Sequence, residues 1–244
     1  RYLIMSEWKN NLILKKGRRY YFSLLRPFLK KNKNQYSIMC NSFPKSGTHL
    51  LTQLFSYQED RDYGNFISSV PSFTMKEKSE NELVNKINHL FSKELVSAHL
   101  HWSEKISNAI IQNKIVHFFI YRDPRDVILS ECNYLTNMNK WHRLHKYFKN
   151  CNSLDEQIKL SINGIETDEF YYPNIQERMK RYTPWINDNN TLSLRYEDLY
   201  LDSTDNVLSS VHEKLLEFNA IDWDQNKYLK LAKQFINPTK SHTF

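Results

Sequence analysis

"SIMCNSFPKSGTHLLTQLF", residues 37–55, runs from a short apolar segment through a turn into residues at helical spacing. Residues 36–43 have the apolar, turn-bounded character of a buried strand. Leu50, Leu51, Leu54 and Phe55 recur as one face of a helix over 48–57. Between them stands Gly47, one of only four glycines in 244 residues, flanked by Lys45, Ser46 and Thr48. A strand that turns directly into a helix gathers unpaired backbone N–H groups at the positive end of the helix dipole, and an anion fits there. Gly47 permits close backbone approach, Ser46 and Thr48 offer hydroxyls, and Lys45 supplies a mobile positive charge.

This strand-loop-helix is P-loop-like without being the phosphate loop G-x-x-x-x-G-K-[ST]. Lys45 precedes the glycine, and Cys40, Ser42 and Phe43 occupy the region where a leading glycine would stand. That order argues against ATP or GTP held with magnesium. It leaves a lysine reaching the bridging region of a 5′-phosphate anhydride.

Outward from this stretch, residues 95–100, 115–121 ("IVHFFIY") and 191–196 read as further strands. Helices are predicted over 103–112, 124–135, 154–165, 174–187, 204–218 and 226–235. Asp123 serves as N-cap to the second of these, with Pro124 at its first position. Continuous apolar strands alternating with helices predict an α/β fold: a single domain with a central parallel sheet flanked by helices. Its chemistry belongs on the loops that follow the strands.

The net charge of +7 suggests nucleic acid until it is divided along the chain. Residues 1–33 hold ten Lys and Arg against Glu7, which leaves 24 basic and 26 acidic residues in the rest. The chain is therefore read as a basic N-terminal helical arm over 1–35 and an α/β domain over 36–244, with no nucleic-acid partner. The arm mixes apolar and basic residues at helical spacing. Packing as a solvated helix is the preferred reading, and peripheral contact of residues 1–33 with an anionic membrane surface is the alternative. Cys40, Cys132 and Cys151 are an odd number at unrelated spacings. They form neither a disulfide framework nor a zinc pattern, so no metal is expected and a reducing, cytoplasmic location is inferred.

The third strand ends in "YRDPRDVILSECNYL", where Arg122 leaves the sheet edge and Ser130 lies two helical turns beyond the N-cap. A phosphate fits between the two, although an Arg122–Asp126 pair with an ordinary Ser130 would satisfy the same residues. Three stretches together, "FPKSGTHL", "RDPRDVILS" and "LRYEDLYLD", resemble the sulfotransferases that use 3′-phosphoadenosine 5′-phosphosulfate (PAPS), in their order and strand placement. The resemblance spans residues 43–202. It implies that Lys45, Ser46, Gly47 and Thr48 bind the 5′-phosphosulfate, that Arg122 and Ser130 bind the 3′-phosphate, and that Tyr196 lies near the nucleotide. Two departures stand out. Leu50 replaces a tryptophan that stacks on adenine in the family, and the chain stops at "KSHTF" without the family's R-K-G clamp. Either the sequence ends just before the clamp or the clamp is missing.

Sulfuryl transfer to an alcohol needs a base, and histidine suits that task near neutral pH. His99 sits at the end of the second strand, at the position of the family's basic histidine, but only the His99-Leu100 pair matches that pattern. His101 is the second candidate, on the same side if the strand continues, and His49 the third. The implied catalytic residues are His99 and Lys45, and the implied co-substrate is PAPS. The acceptor is a hydroxyl, or an amine, on a small molecule, lipid or sugar, with residues 58–94 and 136–175 on its side of the fold. The competing readings are a nucleoside-kinase-like P-loop protein and a non-catalytic nucleotide-binding module.

Overall fold

The computed structural model describes residues 36–55, 65–199 and 204–236; the expected arm over 1–35, the predicted end of the first helix at 57, and residues 237–244 lie outside them. Five strands, β1 (Ser37–Ser42), β2 (Asn65–Ser68), β3 (Leu95–His99), β4 (Ile115–Tyr121) and β7 (Thr191–Arg195), form one sheet in the order β2-β3-β1-β4-β7. Every pairing in it is parallel. A separate two-stranded ribbon pairs β5 (Ile165–Glu166) with β6 (Tyr171–Tyr172).

The lack of polar alternation in the strands has a direct cause: both faces of the sheet are covered. On β1, Ile38 and Cys40 join Leu50, Leu51 and Leu54 of α1 (Thr48–Gln53). The same cluster takes in Leu208, Val211 and Leu215 of α8 (Thr204–Glu217) and Tyr228 and Ala232 of α9 (Gln225–Phe235). Met39 joins the opposite cluster with Leu83 and Ile87 of α2 (Glu80–Asn88), Ile106 and Ile110 of α3 (Glu104–Gln112), and Trp185. Each large apolar side chain buried in this way contributes about 1.5–3 kcal/mol. His117, the polar interruption in β4, is fully buried, with Nδ1 2.8 Å from Thr191 Oγ1 and its ring 4.5 Å from that of Trp185. Burial pushes its pKa down to about 3, so it sits in the sheet as neutral imidazole.

Several boundaries differ from the sequence expectation. β2 was not anticipated, because four residues reading Asn-Phe-Ile-Ser carry no periodic signal. α2 had a legible one: Ser79 and Glu82 form a capping box. The single helix expected over 174–187 is α7 (Ile175–Lys180) followed by a 3₁₀ turn over Thr183–Asn187. Pro184 lacks the N–H that would continue α7. β3 stops at His99, one residue earlier than expected, so His101 lies beyond the strand.

A third cluster surrounds α4 (Pro124–Asn133), the π-helical turn Tyr134–Met138 that extends it, and α5 (His145–Lys149), with Phe170 and Tyr172 from the ribbon. α6 (Leu154–Asn163) leans against it and ends at Gly164, whose φ of 80° and ψ of −171° suit glycine alone. A Cβ there would overlap the carbonyl oxygen of Tyr172 and the backbone of Pro173 and Asn174. Gly164→Ala is expected to destabilise the fold by ~2 kcal/mol or more, read as a lower denaturant midpoint. An unchanged midpoint would mean that the ribbon yields without cost.

Because β3 and β4 flank β1 on opposite sides, the strand order reverses at β1. The crevice outside the carboxyl ends of these strands is where α/β sheets hold ligands. The loop after β1, His99 at the end of β3 and Arg122 just after β4 lie at that edge.

Candidate active site

The loop after β1 is shaped by two left-handed residues, Lys45 at φ 70° and Gly47 at φ 100°, with the Ser46 N–H between them donating to the Phe43 carbonyl at 3.1 Å. Gly47 is the N-cap of α1 and provides no side-chain cap. Ser46 Oγ is buried without a hydrogen-bond partner among the described residues. A buried hydroxyl left in this way suits an incoming anionic oxygen. Gly47 has a second reason to be glycine: a Cβ would overlap the ring carbons Cδ2 and Cε2 of Tyr196.

Tyr196 follows β7 in a short 3₁₀ turn and is buried. The Arg122 guanidinium stacks on its ring at 4.3 Å, so the two sites expected from sequence meet through one aromatic side chain. Arg122 also lies 3.6 Å from Asp126, the pairing that the sequence left open. An i,i+4 pair with a half-exposed carboxylate is weak and leaves the guanidinium able to turn to a phosphate. Glu197 accepts a hydrogen bond from the backbone N–H of Asp123 at 2.9 Å, pinning the start of α4. Asp123 caps α4 by accepting from Arg125 N, and Ser130 stands partly buried on that helix.

His99 closes β3. Its Nδ1 lies 3.0 Å from the carbonyl oxygen of Ser42 and 3.0 Å from Ser42 Oγ. A carbonyl only accepts, so Nδ1 carries the proton and Nε2 keeps the lone pair. Burial pushes the His99 pKa down to about 4, opposed by the hydrogen bond to Ser42, while His49 and Lys45 push the same way as burial. The ring is neutral at pH 7. Ser42 Oγ continues to Thr48 Oγ1 at 2.5 Å, linking the base candidate to the anion loop. Asn41 holds the register: its Oδ1 accepts from Ser42 N at 3.0 Å and from Leu100 N at 2.8 Å. His101 belongs elsewhere, with Nδ1 2.7 Å from Glu77 and its ring edge-on to Tyr182. His49 is exposed on α1.

Lys45 Nζ sits 3.8 Å from the centroid of the Tyr134 ring. Burial lowers its pKa to about 8, Glu131 opposes that fall and Arg122 adds to it. It remains mostly an ammonium at neutral pH. Sequence reasoning missed Asn41, Ser42, Glu131, Tyr134 and Glu197. Tyr134 had a signal, four residues after Ser130 on one helix face; Asn41 and Ser42 had none beyond lying within the opening stretch. The two segments expected on the acceptor side do meet, through Arg143 N donating to Ser72 O at 3.1 Å. Phe66, at 41% exposure, places its ring edge-on to His99 with 5.0 Å between centroids. Among the described residues, no group of three or more His, Cys, Asp or Glu is arranged to hold a metal ion, and no helix is long and apolar enough to cross a membrane.

One edge of the parallel sheet thus carries a turn with a lysine and two hydroxyls, an arginine stacked on a tyrosine, and a neutral histidine. The sulfotransferase domain family matches residues 36–241, and the chain belongs to that family. Human Sulfotransferase 2A1 is 25% identical over 178 residues, 72% of this chain and 56% of its own length. The chain thus spans little more than half of that relative. Mouse sulfotransferase SULT7A1, solved in complex with PAP, shares the fold with a TM-score of 0.52 at 18% identity, over 86% of this chain and 68% of that one.

Proposed function

We propose that the protein transfers a sulfuryl group from PAPS to a hydroxyl, or an amine, of an acceptor. The observation that carries this reading is the contact chain from His99 through Ser42 to Thr48, which puts a neutral imidazole beside an anion loop with an orphaned Ser46 hydroxyl. Lys45, Ser46, Gly47 and Thr48 hold the 5′-phosphosulfate. Arg122 and Ser130 hold the 3′-phosphate, and Tyr196 keeps Arg122 and Gly47 in mutual register.

The donor supplies a sulfuryl group on a phosphate leaving group. The acceptor oxygen forms the new O–S bond as the anhydride O–S bond breaks, and its proton passes to His99 Nε2. Lys45 counters the charge that grows on the departing phosphate oxygen. The exposed Phe66 ring beside His99 favours a ring-bearing or apolar acceptor that carries a hydroxyl, among small molecules, lipids and sugars. The order of Lys45 before Gly47 weighs against the kinase alternative.

The test joins a binding titration to a transfer screen. The spent nucleotide, 3′-phosphoadenosine 5′-phosphate, should bind in preference to ATP with magnesium, and radiolabelled sulfate should move from PAPS to some member of a panel of hydroxylated acceptors. Arg122→Ala and Ser130→Ala should each lower the preference for a 3′-phosphate over a 2′,3′-dihydroxy nucleotide by about tenfold, the scale of one charge-assisted hydrogen bond. Preference for ATP would favour the kinase, and binding without transfer to any acceptor would favour the non-catalytic module.

A further inference from the structure

The most heavily bonded polar group outside the site is the Glu131 carboxylate, buried on α4 next to Ser130. Arg178 of α7 donates to it at 2.8 Å and 3.2 Å, Ser161 of α6 at 2.5 Å and Tyr172 of β6 at 2.5 Å. Arg178 also donates to the Tyr172 hydroxyl, and to the Ser161 carbonyl at 2.7 Å. One carboxylate thus clamps α4 to three other elements. Removing one partner of such a buried pair leaves an uncompensated charge, so the knot holds α4 in one position.

The same stretch of helix faces the anion loop. Tyr134, three residues beyond Glu131, carries Lys45 Nζ on its ring face at 3.8 Å, and its hydroxyl accepts from Asn139 at 2.7 Å. We propose that Glu131 is a positioning residue for the transfer: clamped by Arg178, Ser161 and Tyr172, it seats the Ser130–Tyr134 stretch against the loop after β1 and so fixes the ring face on which Lys45 rests. This rests on the sulfotransferase reading of Lys45.

The groups that face Lys45 agree with that role. Arg122 at the end of β4 repels the ammonium, and the neutral rings of His99 on β3 and His142 beyond the π-turn both sense its charge. Burial drives the pKa of His142 down to about 4, with Glu131 opposing and Lys45 assisting. Glu131 is the member of the buried pair whose charge acts on Lys45, in the sense that retains its proton. Without it, burial and Arg122 would act together to lower the Lys45 pKa further.

Affinity for 3′-phosphoadenosine 5′-phosphate, measured from pH 7 to 10, above the second ionisation of its phosphates at about 6, reads the charge of Lys45 by comparison with Lys45→Arg. In the wild-type protein it should fall as pH rises through the titration of Lys45, and Lys45→Arg should flatten that fall. Glu131→Gln should move the midpoint down by ~0.5 pH unit or more, the effect expected of one partly screened charge. The double variant Glu131→Gln/Arg178→Gln removes both buried charges while keeping hydrogen-bonding groups, and it carries the test if the single variant folds poorly. It should recover thermal stability yet keep the lowered midpoint. A double variant with wild-type stability and a wild-type midpoint would overturn the proposal and reduce Glu131 to a structural clamp. A wild-type profile that Lys45→Arg leaves unchanged would instead overturn the assignment of Lys45 to the nucleotide.

Discussion

A His99→Asn protein is expected to keep its fold and nucleotide affinity and to lose ~10²-fold or more in turnover, the scale of lost general-base catalysis. Asparagine can still donate an amide N–H to the Ser42 carbonyl, so the Ser42–Thr48 link at 2.5 Å need not break. It cannot take a proton at neutral pH. The wild-type imidazole can, because its proton is committed to Ser42 through Nδ1 and burial keeps the ring neutral down to about pH 4. His101→Asn should change turnover far less, since His101 lies past the end of β3 and its Nδ1 is engaged by Glu77 at 2.7 Å. Single-turnover transfer with saturating donor, alongside a binding titration, separates the two. A slow His101→Asn and a fast His99→Asn would reassign the base. Two fast variants would require an acceptor that arrives ionised, or His49.

Lys45→Ala is expected to lower turnover by ~10²-fold or more while weakening the spent nucleotide much less, as for loss of one preorganised electrostatic donor. Lys45 is held by the left-handed turn at φ 70° and by the face of Tyr134, which fixes where its charge is applied. The pH profile gives an independent reading. With the Lys45 pKa lowered to about 8, kcat/KM should fall as pH rises through that value, because the ammonium becomes a neutral amine. Lys45→Arg, which stays charged, should shift that limb upward. Unchanged turnover in Lys45→Ala would remove the loop from the mechanism.

Much of this arrangement is written locally. The strand, turn and helix over residues 37–53 depend on apolar runs, one glycine and helical spacing, all of which act within a few residues. The N-cap at Asp123 with Pro124 behind it is equally local, and it places Arg122 at a strand end. β2 and the ribbon of β5 and β6 escaped because strands of four and two residues take their structure from their neighbours. The break between α7 and the turn at Thr183–Asn187 was legible in Pro184 and was passed over.

By itself the sequence determined the parallel α/β class, the strand, turn and helix around Gly47, and Arg122 and His99 as strand-end residues, since each follows from periodicity, capping or a motif of adjacent residues. The tertiary structure alone decided which ring nitrogen of His99 carries the proton, because the Ser42 carbonyl that settles it is 57 residues away on a neighbouring strand. It alone brought Tyr196 between Gly47 and Arg122, and Glu131 against Arg178, across separations that no local pattern encodes. The physical reason is common to all three. Burial and partnering set the charge and orientation of a polar side chain, and both are properties of the packed molecule rather than of the residues beside it in the chain.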